Sequence, residues 1–351
     1  MIIKIILFFI IFGIVVISHE FGHFLIGKRN GIRVVEFAVG MGPTLFSFQK
    51  GETKYSLKLL PLGGACMFDG EDGVSEEDGV IDEHSFIRAN VWARIATVFA
   101  GPFFNFLLAF AFSLIMVAFN GSDRPVVQQI MEDSAAQEAG ILAGDEIRRI
   151  NGERIRIYRE VSLISALNQG EPMEIEIERN GEIKNVTLTP LYNVEDARYY
   201  IGLRGSGEFI KCNPAQVFQY GIYEVRYWVK ATYKSLFMLI QGRAKKEDVS
   251  GPIGMAQFVG ETYDEAKTYG VSTIIFTMMN IVILLSVNLC IFNLLPIPAL
   301  DGGRLVFMIL EVIRGKPIPP EKEGMVHFAG LVALMILMVF VMYNDIARIF
   351  R

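Results

Sequence analysis

Cysteine is scarce in this chain: three among 351 residues, Cys66, Cys212 and Cys290, with no Cys-x-x-Cys spacing. Neither a thiolate metal cage nor a disulfide framework is indicated. Charge is also thin, at 20% of residues, and it collects between apolar blocks. The formal net charge of -5 argues against nucleic acid as a partner. No low-complexity run is present. The Asp-, Glu- and Gly-rich stretch 70–83 lacks the ligand spacing of a calcium loop, so it reads as a solvated loop. Histidine numbers only four. Against these absences stands an excess of apolar residues, 52% of the chain, with a mean hydropathy of +0.38. Four runs, about 2–26, 91–119, 273–295 and 326–350, are long and apolar enough to cross a bilayer.

Two of the four histidines stand in the first run, as His19-Glu20-Phe21-Gly22-His23. Residues four apart share one helix face, so both imidazoles reach one zinc ion. Glu20 between them is placed to act on water at that ion. Ionisable groups in a membrane span are costly and tend to be functional, so three within five positions point to a metal site. The alternative is a signal peptide, with Lys4 as its basic region and 5–17 as its apolar core. No small-x-small cleavage site follows, and Phe21 and Phe24 continue the run.

Zinc needs a third protein ligand and an open position. The third run ends in Asn293-Leu294-Leu295-Pro296-Ile297-Pro298-Ala299-Leu300-Asp301-Gly302-Gly303. Pro296 and Pro298 break the helix, and broken backbone at membrane depth is tolerated where it lines a cavity. Asp301 follows and offers a carboxylate oxygen. Otherwise it occupies an ordinary turn after a helix end.

Two inserts separate the runs. In the first, 28–90, Phe46 and Phe48 alternate with Ser47 and Gln49, and Lys50-Gly51-Glu52 forms a turn. Tyr55, Leu57 and Leu59 then alternate with Lys54, Ser56 and Lys58, giving a hairpin with one apolar face. It follows the His-Glu-x-x-His motif closely. Its edge either receives an extended substrate or serves as a plain connector. The second insert, 121–211, carries strand patterns at 126–131, 146–150, 173–178 and 182–188, and helices at 133–139 and 161–168. Ser134-Ala135-Ala136, Ala139-Gly140-Ile141, Ala143-Gly144-Asp145 and Ile150-Asn151-Gly152 resemble a PDZ domain of the bacterial, circularly permuted type. Tyr200-Ile201-Gly202-Leu203 resembles the loop of such domains whose N–H groups receive a peptide carboxylate. A glycine at a strand end also serves as a simple bend. From 213 to 241 the chain is aromatic and basic, which suits a helix lying in the headgroup region. A fifth span is the alternative, made expensive by Glu224, Arg226, Lys230 and Lys234.

His19-Glu20-x-x-His23 together with Asn293-x-x-Pro296-x-Pro298-x-x-Asp301-Gly302 resembles the site-2 protease family of intramembrane zinc metalloproteases. Pro61-Leu62-Gly63-Gly64, Ala100-Gly101-Pro102 with Asn105, and Gly251-Pro252-Ile253-Gly254 are similar to its pattern. The order of spans, with one PDZ insert, resembles its bacterial RseP/RasP branch. The resemblance implies a polytopic α-helical membrane protein: four transmembrane helices, a membrane-associated β-hairpin insert and an extracytoplasmic PDZ domain of α+β class. The implied divisions are 1–120, 121–211 (the PDZ domain), 212–271 (an interfacial amphipathic helix and linker) and 272–351. Also implied are Zn2+ held by His19, His23 and Asp301, and Glu20 as catalytic base. Asn293, Pro296, Pro298, Tyr55, Leu57 and Leu59 would hold substrate, although Asn293 equally suits an interhelical hydrogen bond. The implied substrates are single-span membrane proteins such as anti-sigma factors or remnant signal peptides, met in the lipid bilayer.

Lys28, Arg29 and Arg33, and Arg304, Arg314, Lys316 and Lys322, favour a cytoplasmic side for the ends they follow. Arg243, Lys245 and Lys246 pull the other way. The resemblance decides for a bacterial plasma membrane, with the active site toward the cytoplasm and the PDZ domain outside. Two other functions compete. One is a non-catalytic membrane PDZ scaffold binding peptide C-termini, against which an intact Glu20 stands. The other is a metal transporter, against which the few polar residues of the second and fourth spans stand.

Overall fold

The computed structural model describes residues 2–71, 83–193, 198–205, 209–243 and 250–349. Helix α1 (Ile2–Arg29) leads into strands β1 (Val34–Lys50) and β2 (Thr53–Phe68), and then into α2 (Val91–Asn120). An α+β stretch follows. It comprises β3 (Ser122–Asp123), β4 (Val127–Ile130), α3 (Ala135–Glu138), β5 (Glu146–Ile150), β6 (Glu153–Arg154), α4 (Tyr158–Leu167), β7 (Met173–Arg179) and β8 (Glu182–Leu188). It closes with β9 (Leu191–Asn193), β10 (Arg198–Tyr200), β11 (Leu203–Gly205) and β12 (Phe209–Ile210). The helices α5 (Pro214–Ile240), α6 (Pro252–Lys267), α7 (Val271–Asn293), α8 (Asp301–Arg314) and α9 (Pro320–Ile349) complete the chain. It divides into two compact units, Met1–Phe112 with Met238–Arg351, and Ser113–Phe237. Most of the acidic stretch 70–83 lies outside the described residues.

The four expected runs are helices, and each is long and apolar enough to cross a membrane. Phe8, Ile11 and Val15 of α1 are buried with Val259 of α6 and Met278, Ile281 and Val282 of α7. On α9 the apolar residues Val339, Phe340, Ile336 and Met335 stay exposed, a surface suited to lipid rather than water. The far end of α9 is tied down. Asp345 is buried and accepts from the amides of Gly251 (3.0 Å) and Gly254 (2.7 Å). It thereby caps α6, whose first N–H groups have no partner within their own helix.

The hairpin is longer and more folded than the pattern at 44–59 predicts. Its ribbon doubles on itself: Phe37 stands opposite both Cys66 and Tyr55, Ala38 opposite both Ala65 and Ser56, and Phe48 also opposite Tyr55. Gly40, Gly42 and Gly63 take positive φ at the bends, which removes the strict alternation by which a strand is recognised. Residues 54–57 therefore have partners on both sides. Tyr55 and Leu57 do not offer the open edge expected of them; among the described residues the free edges run along 44–50 and 64–67.

The second unit is built on the sheet β6-β5-β7-β8. Ile147, Ile150, Ile175 and Ile177 point from it into a core shared with Ile141, Val161 and Ile164. Asp145 is buried and receives two bonds from Arg179, each 2.7 Å, and one from the Leu142 amide at 2.8 Å. Burial pushes its carboxyl up, but these bonds outweigh burial and hold it below the usual carboxylate range. Helix α5 corrects the expectation for 213–241. Its charged residues are not free tips for lipid headgroups. Glu224 is buried against Arg159, and Lys230 and Lys234 reach Glu153 at 2.5 and 2.8 Å. The acids of β6 and α4 thus claim the cations first, while Phe218, Ile222, Tyr233 and Phe237 remain exposed.

Candidate active site

The helical period of α1 puts His19 and His23 one turn apart, both buried, with ring centroids 4.7 Å apart. Their Nε2 atoms lie 3.2 Å from each other. Asp301, the first residue of α8, brings Oδ2 to 3.2 Å from His19 Nε2 and 3.5 Å from His23 Nε2. It can do so because α7 stops at Asn293 and the chain turns sharply through Pro296 and Pro298. Gly302 and Gly303 then pass so close beneath that turn that a Cβ on either would overlap the carbonyls of Leu295 or Ile297.

The three donor atoms fit one zinc ion. Donors about 2.0–2.1 Å from a tetrahedral centre stand about 3.3–3.4 Å from one another, close to the separations found. Asp301 Oδ2 is buried and has no hydrogen-bond partner among the described residues, so nothing competes for it. His23 Nδ1 lies 2.9 Å from the Thr97 carbonyl. Donation there leaves Nε2 as the lone-pair nitrogen that a metal needs. Gly101 of α2 completes the wall, since a Cβ there would collide with both imidazoles.

Glu20 is half-buried beside this triad. Its carboxylate lies near the backbone of Cys66, and its Cγ lies 2.8 Å from where a Cβ on Gly64 would fall. The free edge of β2 at 64–67 thus runs past Glu20. Tyr55 instead packs on Phe24 and Phe37, and Leu57 and Leu59 stand exposed. Alternation at 54–59 points to these three, whereas the signal for 64–67 is the Pro61-Leu62-Gly63-Gly64 stretch just before it. Asn293 is half-buried and makes no side-chain hydrogen bond among the described residues, so the interhelical bond is not formed. Asn105 is fully buried on α2, and neither atom of its amide has a partner among the described residues.

In the second unit, Tyr200, Ile201, Gly202 and Leu203 line a groove of ≈ 430 Å³, opposite Tyr158, Val161 and Ser165 of α4. Burial raises the Tyr158 phenol to about 12, so it stays a neutral hydrogen-bonding group there. Gly202 has φ +80°, and a Cβ on it would strike Ser134 rather than enter the groove.

Residues 7–337 match the family model described as Peptidase family M50. The zinc metalloprotease RasP of Geobacillus kaustophilus is 33% identical over 99% of this chain and 98% of its own length. The regulator of sigma-W protease RasP of Bacillus subtilis is 32% identical over 99% of each. Among solved structures, the PDZ domain of an SdrC-like protein from Listeria monocytogenes covers 25% of this chain and 90% of its own at 16% identity, with a TM-score of 0.20.

Proposed function

The chain belongs to peptidase family M50 and is a zinc metalloprotease of the RseP/RasP-like site-2 type; from that premise we propose that it cuts single-span membrane proteins within or beside the bilayer, using His19, His23 and Asp301 as zinc ligands and Glu20 as general base. The observation that carries this is the convergence of three buried donor atoms, from positions 19, 23 and 301, at 3.2–3.5 Å from one another in a wall of apolar helices.

Zinc held by His19, His23 and Asp301 would supply Lewis acidity toward the scissile carbonyl and toward water at neutral pH. Glu20 takes the proton of the attacking water and passes it to the leaving amine. A helical substrate hides its amides and must be extended before attack. The free edge at Gly64–Met67 pairs with it as an added strand next to Glu20. Asn293, with no side-chain partner among the described residues, donates to the substrate backbone from the other side, and Pro296 and Pro298 keep that wall from closing as helix. Anti-sigma factors, in keeping with a Bacillus subtilis relative named for the regulation of sigma-W, and remnant signal peptides are the substrate classes of this reading.

The second unit is read as a PDZ domain on the outer face of a bacterial plasma membrane. Its β11 pairs only with β4 among the described residues. The groove beside it admits the end of an extended peptide. The domain selects substrates and takes no part in the chemistry. Measuring zinc and cleavage of a single-span substrate in Asp301→Ala tests the assignment: both should be lost, and full zinc occupancy would remove Asp301 from the ligand set.

A further inference from the structure

Asp301 owes its position to the four residues before it. Ile297-Pro298-Ala299-Leu300 form a β-turn closed by the Leu300 amide on the Ile297 carbonyl at 3.2 Å. Proline stands at its second position. Ala299, at its third, has φ +73°. That is a type II turn, whose third position ordinarily requires glycine because a Cβ is disfavoured there. An alanine held in this conformation needs outside support.

Helix α9 meets both central residues of the turn. The Ala299 N–H donates to His327 Nδ1 at 2.9 Å. One turn further along α9, Gly330 lies against Pro298 so closely that a Cβ would overlap its Cβ and carbonyl. His327 is held in turn by the Phe307 ring, at a centroid distance of 5.4 Å. Because Nδ1 accepts, the proton of the imidazole sits on Nε2, 3.8 Å from Glu323 Oε1. A histidine in a membrane span is costly, and the mechanism built on α1, α7 and α8 does not use this one.

We infer that His327 and Gly330 are positioning residues. They clamp the strained type II turn from α9 and thereby hold Asp301 Oδ2 at the two histidines. This rests on the reading that His19, His23 and Asp301 bind zinc. It makes α9 a working part of the site rather than a lipid anchor alone.

The test uses the purified full-length protein loaded with zinc and challenged with a chelator. Zinc retention is followed over time, and kcat and KM are measured on a single-span substrate. His327→Phe keeps a ring against Phe307 but removes the acceptor. It should lose zinc about 10-fold faster or more, as outer-shell substitutions do, with kcat lowered and KM little changed. His327→Asn, whose amide oxygen falls near the place of Nδ1, should stay close to the parent. Adding Ala299→Gly to His327→Phe should restore much of the retention, because a glycine turn needs no clamp. Parental retention in His327→Phe, beside an Asp301→Ala that loses its zinc, overturns the inference. Parental retention in Asp301→Ala overturns the ligand assignment beneath it instead. If His327→Phe does not fold, Gly330→Ala pushes the same turn from Pro298 and should also speed zinc loss; unchanged retention there overturns the inference equally.

Discussion

Asn293 is the last residue of α7 and makes no side-chain hydrogen bond among the described residues. As one hydrogen bond to substrate backbone contributes about 0.5–1.5 kcal/mol net, Asn293→Ala should lower kcat/KM by about 2- to 13-fold. Zinc content and thermal unfolding should not change. A parallel fall in thermal stability would mark it as structural. Asp145 gives a prediction of the opposite kind, on stability alone. Its folded pKa lies below the unfolded value, so its contribution is complete above the unfolded pKa, about 3.9, and disappears as pH falls through the folded value. Asp145→Asn should cost about 1.5–3 kcal/mol at pH 7, the range for hydrogen bonds to charged groups. It should also flatten the loss of stability below about pH 4. Hydrogen exchange at core amides such as Ile147 and Ile177 reads both effects, and an unchanged acid profile would remove the pair from the account.

Elements differ in how openly the sequence shows them. The membrane helices are legible because an apolar run of that length has no other stable use. The His-Glu-x-x-His pair is legible because helical period alone brings the two rings together. The hairpin is only half legible. Its outer part alternates plainly between Phe46 and Tyr55, but bends at Gly40 and Gly63 break the period and hide the edge that runs past Glu20. Helix α8 is masked by Asp301-Gly302-Gly303, which reads as a loop; the glycines are there for close passage beneath the Pro296–Pro298 turn. The helical form of 252–267 is masked too, because its cap comes from Asp345, 94 residues from Gly251. That cap carries a prediction. Asp345→Ala removes a charged acceptor from two amides and should raise hydrogen exchange of the first turn of α6 by about 10-fold or more, at a cost of about 1.5–3 kcal/mol. Protection equal to the parent would show that α6 is capped by other means. His327 is legible in the sequence as one of four histidines, lying in a membrane span. Its partner could not, because a bond to the backbone of Ala299 leaves no pattern in either segment.

In the proposed reading the whole molecule keeps chemistry and selection on separate units. All the site residues of the proposed reaction fall within Met1–Phe112 and Met238–Arg351, and the groove falls within Ser113–Phe237. Deleting residues 124–203 with a linker should therefore leave zinc bound and cleavage of a pre-trimmed substrate within about 3-fold. It should also let untrimmed substrates be cut; an unchanged preference for the trimmed form would put selection in the membrane unit. Gly202 is not a clean probe of the groove, since a side chain there meets Ser134 and disturbs the fold first. The proposed reaction stands on Glu20 as the base of a zinc-dependent peptide hydrolysis in the membrane, and Glu20→Gln removes that base alone. The glutamine keeps shape and hydrogen bonding but cannot take a proton. General acid–base catalysis contributes about 10²- to 10⁴-fold. Zinc content and cleavage of a single-span substrate, read on the same purified sample, should give about one zinc per chain and a rate down by at least about 100-fold. A Glu20→Gln protein that binds zinc and still cleaves at near the parental rate would contradict the account, because another group would then be activating the water.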